Sequence, residues 1–447
     1  MVALLAIIIV LLIILFYFYF REKQETNVFE RYTYLDNNST TPLHPDVKRR
    51  MESSMYLGNA SSGYAHEAKK IISETTAEIL TALKLEGSKN TVIYTSCASE
   101  SNNLFFRSLV DFYHLHKDGN LPHILISSIE HKTSIDCIHQ LLALGSIEAT
   151  FIDPKHDGTI DPMEVAYAIK DNTICISVMH VNNETGAIND IYKISQIAKS
   201  RGIPLHVDIV QSFGKLPIDV IGDVAFSISF HKLRGPSGVG ALVMSNSIAS
   251  KIRETPQICG TQNNNLRGGT ENISGIAGAG ESIKIAEDRK AQKMLHLKNM
   301  LVSFLVKHFE IQKYTDYVGK PESYDPFPVP TGKFAVVFLG PTNAAGLPDN
   351  SRVSPNTLCL SFINIAPLSN HFCNIAFKQR LLQENIIVSI GSACNKSSPS
   401  HVLMAMKAPY IIRSGMIRIS LGDQNDENDI KKICDCLYKL LKKSTSR

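Results

Sequence analysis

The sequence predicts an α/β protein: a large domain on a mainly parallel sheet, a smaller α+β domain after it, and an apolar segment before both. Three observations predict this. Between residues 56 and 276, short β-rich runs alternate with helical patterns, the order that crossover units impose on a parallel sheet. A long helical stretch over 275–309 then leads into turn-rich segments, further strands and a closing helix. Residues 2–20 carry no charge, and their only polar groups are the hydroxyls of Tyr17 and Tyr19.

The composition allows this reading and excludes others. With 447 residues, 44% hydrophobic and 20% charged, the chain can build two or three domains and is not a disordered or collagen-like polymer. Its 46 basic and 42 acidic side chains leave a net charge of +4, too small a surplus to argue for nucleic acid. The 9 cysteines follow no regular spacing in a chain too long to need crosslinks, which points to reduced thiols facing the cytosol.

Taken in order, the first element is an anchor over residues 1–22. As a helix, residues 2–20 reach about 28 Å, close to the ~30 Å hydrocarbon core of a bilayer. The run lacks the basic start and cleavage site of a secretory signal and the arginines of a transit peptide, although a cleaved signal remains the rival. It ends in Phe16-Tyr17-Phe18-Tyr19-Phe20-Arg21, which resembles an interfacial aromatic belt. Arg21 and Lys23 follow the span and no basic side chain precedes it, so the rest of the chain is expected in the cytosol. Residues 23–33 form a polar linker.

Buried strands are expected at 90–94, 123–127, 173–178, 204–208 and 240–244, with helices at 67–83 and 190–201 among them. In such sheets ligands sit beyond the carboxyl ends of the strands, and the polar clusters of this sequence fall at those ends. Residues 34–295 make the large domain, with their N-terminal segment contributing to the small one at 296–447. Within the latter, 320–331 and 340–355 read as loops and 357–362 and 416–421 as strands. Ile430, Ile433, Cys434, Leu437 and Leu441 repeat with helical spacing near the end. Cys434 and Cys436, two apart, point different ways and are poorly placed for a redox or metal role.

The most informative segment is Ser227-Ile228-Ser229-Phe230-His231-Lys232, followed by a glycine-rich turn at 235–240. Alone, Lys232 reads as a solvated loop lysine. Three other clusters change that. Pro204-Leu205-His206-Val207-Asp208 ends a hydrophobic strand in a carboxylate, with Gln211 three residues on; such an acid often caps a turn, yet it also suits the pyridinium nitrogen of an electron-sink cofactor. Thr95-Ser96-Cys97-Ala98-Ser99-Glu100 joins a strand to a helix, where free N–H groups and hydroxyls can hold a phosphate. Glu130-His131 and Val181-Asn182-Asn183-Glu184-Thr185-Gly186 add an imidazole and amides after two more strands.

In this order the motifs resemble the cysteine desulfurases of the NifS/IscS type, class V, fold-type I pyridoxal-phosphate enzymes, from about Tyr34 to the terminal helix. Further matching pieces are Tyr34-Leu35-Asp36-Asn37-Asn38-Ser39-Thr40-Thr41-Pro42, Leu266-Arg267-Gly268-Gly269-Thr270-Glu271-Asn272, Gly391-Ser392-Ala393-Cys394 and Ile417-Arg418-Ile419-Ser420. The resemblance implies a seven-stranded-type sheet in the large domain and a bond from Lys232 to pyridoxal 5'-phosphate. It implies Asp208 at the pyridine nitrogen, Gln211 and Asn182 at the ring oxygen, and His131 stacked on the ring as a proton shuttle. Ala98, Ser99, Ser229 and His231 would hold the phosphate with Thr270 of a second subunit, so a homodimer is expected. Arg418 would clamp the substrate carboxylate, with Asn182 beside it.

Cys394 selects the reaction that the resemblance implies, because a substrate thiol needs an acceptor nucleophile. Its surroundings, Ser392 to Ser400, are small and polar, which suits a mobile loop and not a core. The expected activity is conversion of L-cysteine to L-alanine with a persulfide on Cys394, passed to an acceptor protein for iron–sulfur assembly or thio-modification. Selenocysteine lyase or another class V lyase, and a membrane-tethered binding module without catalysis, are the alternatives. The sequence departs from the family pattern at Cys97, where glycine is usual, at Ser99 for threonine, at Ala60 for proline, and at Gln262-Asn263-Asn264-Asn265 for an acidic-basic pair. No metal site is expected.

Overall fold

The computed structural model describes residues 28–62, 65–116, 120–286, 288–319, 334–365, 372–391 and 400–442. The proposed anchor, part of the linker and Cys394 lie outside them. Among the described residues no helix is long and apolar enough to cross a membrane. The first strand, β1 (Thr33–Tyr34), pairs in parallel with a late one, β12 (Ile386–Ile387). Between them runs the central sheet: β2 (Asn90–Thr95), β3 (His123–Ser127), β4 (Glu148–Ile152), β5 (Thr173–Ser177), β6 (Leu205–Asp208), β7 (Val224–Ser229) and β8 (Gly240–Ser245).

The spatial order is β2-β8-β7-β6-β5-β3-β4. Only β8 runs against the rest, pairing antiparallel with both β2 and β7. Helices cover both faces, so the inner strands are apolar on both sides. Alternate residues of one strand feed opposite cores: Ile124 and Ile126 pack with Phe105, Phe106 and Leu109 of helix Ala98–His116, while Leu125 joins Leu205, Val207 and Val243 on the other face. His206, fully buried, sits with its ring nitrogens 2.9 Å from Ser177 Oγ and 3.0 Å from Ser227 Oγ. Burial pulls its pKa to about 3, so it is a neutral rung across three strands.

A second sheet, in the order β13-β11-β10-β9, combines β9 (Glu310–Gln312), β10 (Phe334–Leu339), β11 (Thr357–Asn364) and β13 (Met416–Ser420). Its core gathers Phe338, Phe362 and Ile417 with Leu297 and Leu301 from helix Asp288–His308, Ile433 and Leu437 from helix Glu427–Leu441, and Leu35 from the start of the chain. Both Cys434 and Cys436 are buried in it. The single helix expected over 275–309 is instead two, Ile273–Ile285 and Asp288–His308, because Ala286 takes an extended conformation (ψ 100°). The first packs on the helices of the large sheet and the second on the small one, so the break redirects the chain.

Leu242, fully buried in β8, tests this core. Leu242→Ala is expected to cost about 2–5 kcal/mol, read as a lower urea midpoint with an unchanged slope.

Candidate active site

All strands of the central sheet except β8 deliver their carboxyl ends to one side, and the chain places a polar group at several of them. After β2, Ser96 and Cys97 turn into helix Ala98–His116; after β3 comes His131, the N-cap of helix Lys132–Ala143. β6 ends on Asp208, and β7 runs through Ser229 into the short turn Phe230–Lys232. Antiparallel β8 starts at this edge with Gly240, where a Cβ would lie 2.6 Å from the Cys97 carbonyl carbon and 2.8 Å from Ile228 O. Only glycine lets the phosphate-type turn approach so closely.

These groups surround a cavity of about 260 Å³. Ala98, Ser99, His131, Asp208, Gln211, Ser229, His231, Lys232 and Arg418, all expected from the sequence, line it. Lys232 Nζ donates to the carbonyl of Asn38 at 2.7 Å and to that of Ser39, which uses both N–H bonds of an uncharged amine. Burial, then the charges of Arg418 and Lys215, pull its pKa to about 7. Asp208 is buried, receives the Val210 N–H at 2.9 Å and the Asn102 amide at 3.4 Å, and burial pushes its pKa up. A cationic ring nitrogen is the partner that would keep it ionised. His131 accepts the Thr133 N–H at 3.3 Å and is drawn below the usual imidazole range by burial. Burial also takes His231 to about 4 while its Nδ1 lies 2.9 Å from Thr40 Oγ1.

Arg418 reaches this cavity from β13 of the other sheet. Its Nη2 donates to Asp36 Oδ1 at 2.6 Å and Ser39 Oγ at 2.8 Å, and Nη1 donates to Asn183 O at 2.9 Å. It is 2% exposed, and its Nε has no partner among the described residues. Four more polar atoms on residues lining this cavity are buried without a partner: Asn102 Oδ1, Asn183 Oδ1, Gln211 Oε1 and His401 Nδ1. Buried polar groups are normally satisfied, so this wall is shaped for a polar ligand. Hydroxyls and N–H groups at the helix start, a buried carboxylate, a lysine whose proton is easily lost and an imidazole together fit pyridoxal phosphate.

Asn182 does not reach the cavity: it is fully buried, its Nδ2 donates to Ile129 O and its Oδ1 accepts from the Glu184 and Thr185 N–H groups. Its neighbour Asn183 lines the wall in its place, because Asn182 is spent on closing the turn after β5. Thr270 is exposed and away from its own chain's cavity. Cys394 lies outside the described residues; Gly391 and Ser400 are the nearest described positions on either side of it, and Ser400 Oγ donates to Glu184. Sequence reasoning missed Asn38, Ser39, Asn102 and His401. Asn38 and Ser39 lay within the quoted Tyr34–Pro42 motif, and Asn102 one turn after Ser99, so their spacing was the available signal. The departure at 262–265 also has a physical account: Asn263, Asn264 and Asn265 all adopt left-handed backbone, φ 47°, 57° and 63°, where asparagine is among the tolerated residues.

Comparison with known proteins agrees with this geometry. Residues 33–326 match the family model described as aminotransferase class-V. The cysteine desulfurase IscS of Dictyoglomus turgidum is 32% identical over 426 residues, covering 93% of this chain and 95% of the relative. Among solved structures, a NifS-like protein from Rickettsia africae superposes with a TM-score of 0.71 at 27% identity, covering 92% of this chain and 99% of its own. A protein titled SspA in complex with cysteine gives 0.67 at 26% identity, covering 88% and 99%. The chain therefore belongs to the class-V aminotransferase family, on the branch of the IscS and NifS-like cysteine desulfurases. Its fold is the fold-type I architecture of pyridoxal-phosphate enzymes with a mainly parallel central sheet.

A lysine that is free near pH 7 captures an aldehyde without help. Covalent uptake of pyridoxal phosphate by the cofactor-free protein is expected to rise with pH through a midpoint of about 7, well below the ordinary ~10.4 of lysine. Absorbance change after mixing, measured across pH, checks this; a rate still climbing through pH 10 contradicts it.

Proposed function

We propose that this chain is a pyridoxal-phosphate-dependent cysteine desulfurase that turns L-cysteine into L-alanine and carries the sulfur as a persulfide on Cys394. The observation that carries the reading is the convergence on one cavity of Lys232, whose pKa burial pulls to about 7, a buried Asp208 and a buried Arg418. The relatives' names and the neighbour solved with cysteine supply the substrate.

When bound, pyridoxal phosphate supplies an aldehyde to capture the substrate amine and a ring to accept the electron pair released at its α carbon. The chain's own residues do the rest. Ser99, Ser229, His231 and the N–H groups at the start of helix Ala98–His116 would hold the phosphate, with Thr270 of a second copy. Asp208 would keep the ring nitrogen protonated, and His131 would lie against the ring. Arg418 fixes the substrate carboxylate; a planar guanidinium already oriented by Asp36, Ser39 and Asn183 loses little freedom in doing so. Lys232 takes and returns the α proton. The Cys394 thiolate attacks the substrate sulfur, the carbon–sulfur bond breaks with its electron pair on carbon, and protonation of that carbon gives alanine, leaving the outer sulfur on Cys394.

Residues 2–20 form a single-pass anchor, with Arg21 and Lys23 keeping the enzyme on the cytosolic side. The apolar run itself supports this. Two chains pair so that the exposed Thr270 of one completes the phosphate site of the other. The persulfide passes to an acceptor protein for iron–sulfur cluster assembly or thio-modification.

Incubation of the full chain with L-cysteine is expected to yield alanine and a persulfide adduct found by mass spectrometry on Cys394. Lys232→Ala should abolish both, and Cys394→Ser should abolish the adduct; sulfide release retained at full rate by Cys394→Ser contradicts the mechanism. Arg418→Lys should raise KM for L-cysteine at least ~10-fold, since a bidentate clamp becomes a point charge. Deleting residues 1–22 should move the protein from the membrane to the soluble fraction of lysed cells.

A further inference from the structure

Lys232 borders a second, smaller cavity of about 50 Å³ that shares no other lining residue with the first. Lys215 faces it. Its backbone is fixed by the turn after β6, where its N–H donates to Ser212 O at 2.9 Å. Lys215 Nζ is buried and has no hydrogen-bond partner among the described residues. The other charges on this cavity are committed: Arg234 Nη1 pairs with Asp423 Oδ2 at 3.1 Å, and Lys232 donates to Asn38 and Ser39. Lys215 thus has neither a counter-ion nor an acceptor among the described residues, and it lines the same small cavity as the Lys232 amine.

We propose that Lys215 is a positioning residue acting through Lys232: its buried, unpaired positive charge opposes a second one at Lys232 Nζ and so keeps that side chain a free amine. A neighbouring cation is one of the known ways to activate a lysine nucleophile, and like charges disfavour the charged form. The groups facing Lys232 divide by element. Arg418 from β13 and Lys215 from the turn after β6 disfavour its charge, while Asp36 from the N-terminal segment and Asp208 from β6 favour it. Arg418 is already paired with Asp36 at 2.6 Å, whereas Lys215 has no carboxylate partner of that kind among the described residues. Burial pulls Lys215 itself only to about 8, so it is still largely protonated where Lys232 has begun to lose its charge.

The proposal rests on Lys232 as the cofactor-binding amine, but its test needs no turnover. The full chain, freed of cofactor, is trace-acetylated across pH 5–11 and the labelling of individual lysines is followed by peptide mass spectrometry. Lys215→Met is expected to move the Lys232 midpoint upward by about one pH unit, while Lys215→Arg, which keeps the charge, leaves it near that of the unaltered chain. Lys298, also buried and bonded at 2.9 Å to Ser354 O, is the internal reference and should not move. An unchanged Lys232 midpoint in Lys215→Met overturns the proposal, as does an equal shift in both variants or a shift shared by Lys298, since either would assign the effect to packing.

Discussion

The side chain of Lys232 ends between two backbone carbonyls, those of Asn38 and Ser39, on a segment that belongs to neither sheet alone. That segment is held from both sides. Asn37 Nδ2 donates to Ser420 O at 2.9 Å and Asn38 Nδ2 to Thr357 Oγ1 at 2.9 Å in the small sheet, while Thr41 Oγ1 donates to His231 O at 2.6 Å beside the large one. Two fixed acceptors satisfy an amine without supplying the negative charge that would protonate it. A carboxylate in the same position would have stabilised the ammonium and cost the lysine its nucleophilicity.

The same segment brings the substrate clamp into register. Asp36 and Ser39 hold the guanidinium of Arg418, and the Asn183 carbonyl reaches it from the turn after β5. The large sheet thus provides the cofactor-facing groups, the small sheet provides the carboxylate-facing one, and a short stretch near the start of the chain sets the distance between them. Asp36 compensates the charge of Arg418 until a substrate carboxylate shares it, which is how a buried arginine is tolerated at 2% exposure.

Much of this was legible in the sequence where a strand announces itself on both faces. The inner strands β3, β5, β6 and β8 are mainly apolar runs, β6 broken only by His206, and they lie where expected. Strand β4 was missed because it is an edge strand, with Glu148 exposed and three half-buried residues after it, so its pattern is too mixed to separate from a loop. The break at Ala286 was invisible because an alanine inside a helical pattern carries no stop signal; packing against two different sheets imposes the turn. In the site, most residues whose chemistry is distinctive were found, and Asn38, Ser39 and Asn102, which act through a backbone carbonyl or an amide, were not. Asn182 and Asn183 are the same residue type, and only the closing of a turn decides which faces the cavity. His401 gave no warning either: it lines the cavity while its Nε2 is committed 2.9 Å from Glu130 O, a contact 271 residues away in the chain.

The bond between Asn37 and Ser420 joins positions 383 residues apart. Contacts of such separation form late, after the intervening chain has paid its loop entropy. During synthesis the central sheet can assemble as soon as β8 has emerged, and the Asn38 carbonyl is then tied on one side only, by Gln211 Nε2 at 3.0 Å. The nascent protein would therefore pass through a stage with a finished sheet and a half-held lysine pocket that still lacks Arg418 of β13, which leaves capture of a substrate carboxylate to a chain whose C-terminal part has been made.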